Sequence, residues 1–315
     1  MKGFSLVDLR ISKTRERMGG NEIAAQFRNL QLEIVALLTN HDGVGSFRSD
    51  EWGRIEGGGG VTMTIDNGRV IEKGGVAFSK VTGAITEAMK TQMGMRGDSF
   101  LATGVSIVLH SKHPLHPTIH MNVRYFETNE GESWFGGGID LTPMYVNTTE
   151  AAKFHEQLKA LCDTFKPTAY AEFKVWADDY FFLPHRNETR GVGGIFFDHL
   201  VPDSEQDQLK IFEFCLLLGR NFPLIYKDQT QVSHSEATTM QKDWQALRRS
   251  RYVEYNLLFD RGTKFGIVSN GRTESILLSM PPVAAWKYNY SPPPGSAEEI
   301  TLSHLKKNVD WLSFL

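Results

Sequence analysis

Five side chains, Ser106, His110, His120, Asn122 and Arg124, have the types and spacing that could do chemistry together. They fall in one stretch, GVSIVLHSKHPLHPTIHMNVRYFE, residues 104–127. A guanidinium fork matches a carboxylate in shape and charge. An imidazole exchanges protons near neutral pH. The hydroxyl and the amide add neutral hydrogen bonding beside apolar walls. Such a set would grip an acidic guest and handle a proton. The wet face of an antiparallel sheet carries similar residues with no chemistry at all, so the pattern by itself leaves both readings open.

The elements that must position these residues are two strands. Residues 105–110 are rich in β-branched side chains, and residues 120–126 alternate in polarity after a proline-containing loop. Successive strand side chains point to opposite faces. Ser106, Val108 and His110 therefore share one face, as do His120, Asn122, Arg124 and Phe126. Pairing as a hairpin would line one patch with all five polar groups. Further on, WFGGGIDLTP presents Asp140 from a short strand behind three glycines, which allow close backbone approach to something flat or bulky. The bland counterpart is a bulged sheet edge with a solvated carboxylate. Residues 183–191, LPHRNETRG, form a dense polar loop feeding an apolar strand, and function concentrates at such places.

Around this centre the pattern predicts a helix over residues 13–39, broken at Gly19-Gly20, then strands over 46–80 with an Asn67-Gly68 hairpin turn. Glycines 57–60 lack the Gly-Lys-Ser/Thr and following helix of a phosphate loop and read as a strand connection. Helices are expected over 150–165, 169–181, 204–218 and 236–249. Strands at 252–259 and 264–269 follow, with turns at 260–263 and 270–271. A closing helix, 296–314, would start at a Ser296 cap and turn Ile300, Leu305, Val309 and Leu312 inward. Hairpins with inserted helices point to an α+β fold built on an antiparallel sheet. The missing GxGxxG argues against a dinucleotide fold.

A net charge of −3 over 315 residues gives no basic footprint for nucleic acid. Cys162 and Cys215 sit in apolar helical stretches without CxxC or zinc spacing, and read as free buried thiols in a reducing compartment. No run approaches the ~18 apolar residues of a membrane span. The first residues, MKGFSLVDLR, lack the pattern of a signal or transit peptide, so the expected compartment is cytoplasmic.

The motifs GRIEGGGGVT, GVSIVLH, IHMNVRYF, WFGGGIDLTP, DDYFFLPHRNETRGVGGIFFD, YVEYNLLFDRGTKFG and GRTESILLSMPP together closely resemble the oxygen-dependent coproporphyrinogen III oxidases. The resemblance runs from about residue 52 to 311, and the first fifty or so residues match only loosely. It implies a single domain over 1–315, with a helical segment in residues 1–50. It also implies a large, flat, mainly antiparallel sheet with helices on both faces. A homodimer is implied, with residues 252–281 at the contact. The implied reaction is oxidative decarboxylation of two propionates of coproporphyrinogen III to vinyl groups. Its products are protoporphyrinogen IX, carbon dioxide and hydrogen peroxide, in haem biosynthesis, with dioxygen as co-substrate and no cofactor.

By the same resemblance Ser106 contacts substrate and His120 is the candidate proton donor. Asn122-Val123-Arg124 and Asn270-Gly271-Arg272 are substrate-binding tripeptides. Asp140 and Asp260 work at the pyrrole nitrogens. Asn270 stands where many relatives have glycine, and the loop holding His113 and His116 departs from the family, so neither histidine is given a role. His110, His120, His155 and His185 match metal ligands in some bacterial members. A metal-dependent oxidase on those four is thus the rival within enzymes. A non-catalytic carrier of anionic tetrapyrroles is the rival outside them.

Overall fold

The computed structural model describes residues 17–87, 90–91, 96–232, 235–268 and 272–315. The strands are β1 (Arg48–Gly53), β2 (Gly58–Asp66), β3 (Ile71–Ala84), β4 (Ser99–Ser111), β5 (Thr118–Thr128) and β6 (Ser133–Thr142), with clear polarity alternation in β5. A two-residue pair, β7 (Phe182–Leu183) and β8 (Glu188–Thr189), precedes β9 (Gly194–Leu200). The large sheet has seven strands in the order β1-β2-β3-β4-β5-β6-β9, antiparallel throughout. The β2–β3 turn passes through Asn67 at φ 57°, as its Asn-Gly pair predicts.

One sheet face is apolar. Val105, Ile107, Leu109, Ile119, Met121 and Val123 point there and are buried. Helices α1 (Gly20–Asp42) and α4 (Glu205–Thr230) cover this face, with α2 (Thr148–Phe165) packed against α4. Phe27, Leu30 and Ile34 of α1 supply the stripe that meets it. Asp42, fully buried at the end of α1, accepts the backbone N–H groups of Gly45, Arg69, Val70 and Ile71 and ties the helix to the β2–β3 turn. Burial pushes its carboxyl up, but these four donors hold it down at about 2.

The other face carries the polar residues. Helix α5 (Thr239–Leu258), capped by a reciprocal Thr238–Gln241 pair, lies over part of it. Helices α6 (Arg261–Val268) and α7 (Thr273–Ile276) follow α5. Helix α3 (Ala169–Tyr180) wraps the β9 edge, with Phe173 against Phe197 on one side and Tyr180 against Phe196 on the other. That cover protects an edge strand from pairing with another chain. The expectation of helices on both faces holds.

Three expectations change. Residues 252–258 are the last turns of α5, closed by Phe259 at its C-cap, and 264–268 lie in α6, so the strands expected at 252–259 and 264–269 are not strands in the described residues. In YVEYNLLF a nearly continuous apolar run hides a helical period, with Tyr252, Tyr255 and Phe259 on one side. The helix expected to end at Leu218 runs on to Thr230 through Pro223. The closing helix α8 (Ala297–His304) stops early, and a 3₁₀ turn spans Trp311–Phe314. Ser296 does cap α8 through the Glu299 N–H, but Ile300 is 52% exposed rather than inward. Cys162 and Cys215 are free and buried, and burial pushes the Cys162 thiol up to about 12. Among the described residues no helix is long and apolar enough to cross a membrane.

Candidate active site

Register brings the polar residues together. Ser106 stands opposite Asn122, and His120 stands opposite Asp140, so β4, β5 and β6 set four of them on adjacent strands of one face. From there the side chains form one connected row. Arg190 donates from Nη2 to Asp140 Oδ1 at 2.6 Å and from Nε to Oδ2 at 3.1 Å. His120 Nδ1 lies 2.8 Å from Asp140 Oδ1. His120 Nε2 lies 3.3 Å from Asn122 Nδ2, whose Oδ1 accepts from Arg124 Nη1 at 3.1 Å. Arg124 Nη2 reaches Asp198 Oδ1 at 2.8 Å.

The donor inventory fixes the direction of this row. Asp140 can only accept while ionised, so His120 carries its proton on Nδ1. Arg124 can only donate, so Asn122 turns its carbonyl to Arg124 and its amide hydrogen to His120 Nε2. The imidazole thus gives its Nδ1 hydrogen to Asp140 and takes the Asn122 amide hydrogen at Nε2. His120 is 16% exposed at the side chain and Asp140 only 2%. Burial works against the Asp140 charge, but Arg190 first and then His120 hold its carboxyl below the usual range.

The glycines before Asp140 make room inside the chain. A Cβ on Gly136 would sit 2.8 Å from both Arg124 Nε and Asp198 Oδ1, so glycine here lets Arg124 reach across β6. Gly193, at φ 75°, begins the entry to β9, where Val192 N donates to Leu141 O and Leu141 N to Gly193 O. That pairing carries the preceding Arg190 onto Asp140.

Asp260 approaches from the end of α5. Its Oδ1 accepts from the Tyr180 hydroxyl at 3.0 Å and its Oδ2 from the Thr263 N–H at 2.7 Å, the latter capping α6. Burial and then Asp260 raise the Tyr180 phenol, while Arg124 pulls it the other way. The Arg261 guanidinium lies 5.5 Å from the Tyr180 ring centre. Asp260 is half-buried, whereas Ser106 is exposed and Arg124 partly so.

Val123, the middle of its tripeptide, points into the apolar core on the opposite face. Asn270 and Gly271 lie outside the described residues. Arg272 pairs with Asp50 of β1, whose cross-strand line runs through Thr62, Ala77 and Ser106 to Asn122 on the same sheet face. Four strand spacings, roughly 19 Å, separate β1 from β5. Arg124 and Arg272 therefore stand at two ends of one surface. Clefts of about 430 Å³ beside Trp134 and about 860 Å³ beside Trp244 are lined by none of these residues.

The four histidines of the metal reading do not converge. His110, fully buried, bonds Thr118 through Nδ1 and the Ser279 carbonyl through Nε2. His155, also fully buried, bonds Tyr170 and the Val192 carbonyl from α2. His185 bonds Glu254. Burial pushes the His110 and His155 imidazoles down to about 3, so both stay neutral with both nitrogens engaged. Among the described residues no three His, Cys, Asp or Glu side chains are grouped to hold a metal ion. These histidines do not fit a metal.

Arg190, Asp198, Asn256 and Tyr180 were not singled out from the sequence. The polar loop at 183–191 drew notice, but nothing in it distinguished a buried arginine from a solvated one.

Comparison with known proteins gives a consistent answer. The family profile described as coproporphyrinogen III oxidase matches residues 22–311. A Mus musculus protein named oxygen-dependent coproporphyrinogen-III oxidase, mitochondrial, is 42% identical over 98% of this chain and 72% of its own length. The Homo sapiens protein of the same name is 44% identical over 90% of this chain and 65% of its own. A Dictyostelium discoideum oxygen-dependent coproporphyrinogen-III oxidase is 44% identical over 93% and 94% of the two chains. With the sheet, the register and the polar row on which the sequence motifs fall, this chain belongs to the coproporphyrinogen III oxidase family.

Proposed function

We infer that this protein is an oxidoreductase that converts coproporphyrinogen III to protoporphyrinogen IX with dioxygen. Each of two propionates loses its carboxyl carbon as carbon dioxide and one β-hydrogen, leaving a vinyl group. The two electrons and two protons released in each round reduce one dioxygen to hydrogen peroxide. The observation that carries this reading is the directed row Arg190–Asp140–His120–Asn122–Arg124 on a polar sheet face in a chain of this family.

Residue roles follow from what each side chain can offer. Arg124 keeps N–H groups free beyond those given to Asn122 and Asp198, and takes a propionate. Ser106 and Asn122 line the floor beside it. Arg272 stands far along the same face, suited to a second carboxylate once Asp50 releases it. His120 handles the proton through Nε2. Both oxygens of Asp140 are taken, so it acts by holding His120. Asp260 is the carboxylate we assign to the pyrrole N–H groups. We take the protein to be a homodimer, since residues 252–281 expose Leu257, Leu258, Ile267 and Leu277. Two buried free thiols suit a reducing compartment, and we assign the cytoplasm.

The deciding experiment incubates the protein with coproporphyrinogen III in air and under anaerobic conditions, each with and without a chelator. Vinyl product and peroxide are expected only in air, and equally with chelator. A carrier would give neither product, and a metal oxidase would lose activity to the chelator. Asp260→Asn is expected to lower kcat roughly 100-fold while KM changes less than threefold. Unchanged turnover in that variant removes Asp260 from the chemistry.

A further inference from the structure

The least expected group in the molecule is the Arg190 guanidinium. Its side chain is only 2% exposed, in the interior against the sheet face. Burying a charge costs several kcal/mol even after relaxation. Arg190 withstands this through three hydrogen bonds and a cage of rings. Nε and Nη2 grip both oxygens of Asp140, and Nη1 donates to Asn256 Oδ1 at 3.0 Å. Three rings surround the carbon, with centres at 4.5 Å for Phe181, 4.4 Å for Tyr252 and 4.6 Å for Tyr255. A guanidinium is drawn to each such ring face.

The second feature is where this cage sits. Asp140 has one guest besides Arg190, the Nδ1 of His120. A carboxylate gripped at two points cannot rotate to follow the imidazole. The imidazole must come to it, and only the tautomer with hydrogen on Nδ1 can. The Phe181 ring that flanks Arg190 also meets His120 edge-on, with centres 6.3 Å apart. Ring cage and carboxylate thus limit the same imidazole.

We propose that Arg190 is the positioning residue of this site. By fixing the Asp140 carboxylate from behind, it holds His120 in the Nδ1–H form, with the Nε2 lone pair turned to the Asn122 amide. It never meets the substrate, and its effect reaches the chemistry through two other side chains. This rests on the reading of His120 as the group that handles the proton. Beyond the row, Asp198 of β9 pairs with Arg124, and Asp260 bonds Tyr180. None of them bonds Asp140.

The test uses intact protein labelled with ¹⁵N-histidine, with the His120 signal identified by its loss in His120→Gln. In the wild type, without substrate, His120 is expected as a single Nδ1–H tautomer. Arg190→Gln is expected to mix the two tautomers and to lower kcat roughly 100-fold, with KM within threefold. Arg190→Lys keeps the charge but loses the two-point grip, and is expected to recover about tenfold of that kcat loss. A folded Arg190→Gln with the Nδ1–H tautomer and wild-type kcat overturns the proposal, as does an Nε2–H tautomer in the wild type. If the Gln variant does not fold, the Lys variant decides, and unchanged kcat in it overturns the proposal. A wild type that makes no vinyl product removes the functional reading alone, because the tautomer is read without substrate.

Discussion

Replacing His120 with Gln lowers kcat by roughly 10²–10⁴-fold and leaves KM within about threefold. The reason is a division of labour along the row. In the proposed mechanism, binding of the propionate falls to Arg124, whose guanidinium is held by Asn122 and Asp198 without help from the imidazole. In the same reading, proton handling falls to His120 Nε2. Glutamine keeps a side-chain amide beside Asn122 but cannot exchange a proton near neutral pH. A positioned general acid or base contributes about 10²–10⁴ in rate, and that factor should disappear from kcat. Steady-state kinetics with vinyl product as the readout checks this. Should KM rise while kcat holds, His120 would be a binding residue and the proton path would lie elsewhere.

Much of this arrangement is legible in the sequence, for a simple reason. Strand alternation with period two fixes faces, and the motif GVSIVLH followed by IHMNVRYF places Ser106, His120, Asn122 and Arg124 on one side. The same rule puts Val123 on the other side, which limits what its side chain can touch. What alternation does not give is the partner brought from a distance. Arg190 lies fifty residues beyond Asp140, in a loop whose charges look solvated, and arginines are seldom fully buried unless paired. Its cage is assembled from Phe181, Tyr252 and Tyr255, which meet only after α5 lies across the sheet.

The misread segment has the same origin. Residues 252–259 are aromatic enough to suit a strand, and their helical period shows only once Tyr252 and Tyr255 are seen to face Arg190 together. Asp260 looked like part of a turn, and its Oδ2 caps the helix that follows. Capping is a short-range signal, and an aspartate just before residues 261–268 is a favoured N-cap residue. The histidines fail as a set because sequence distance says nothing about sheet face. His155, from α2, bonds Val192 where the chain turns into β9, while His110 lies under the 3₁₀ turn at Leu277–Ser279.

Removing the carboxylate of Asp140 should cost more stability than any other single change to the row. In Asp140→Ala the buried Arg190 keeps Asn256 and its rings but loses the carboxylate it pairs with. Breaking a buried pair from one side costs about 3–5 kcal/mol, because the remaining charge stays in the interior uncompensated. Replacing both partners by apolar groups, as in Asp140→Ala/Arg190→Met, should return most of that loss, while activity stays low. Urea unfolding with matched slopes separates the two effects. The pH dependence has a definite sign. The Asp140 carboxyl is held below its ordinary range, so its contribution is fully present above an unfolded value of about 3.9 and is lost as pH falls through the lowered folded value. The stability gap between wild type and Asp140→Ala is therefore expected to stay constant from neutral pH down to about 5 and to close only below about 4. A gap that already changed between pH 8 and 6 would overturn the assignment of the permanently charged Arg190 as the partner that stabilises Asp140.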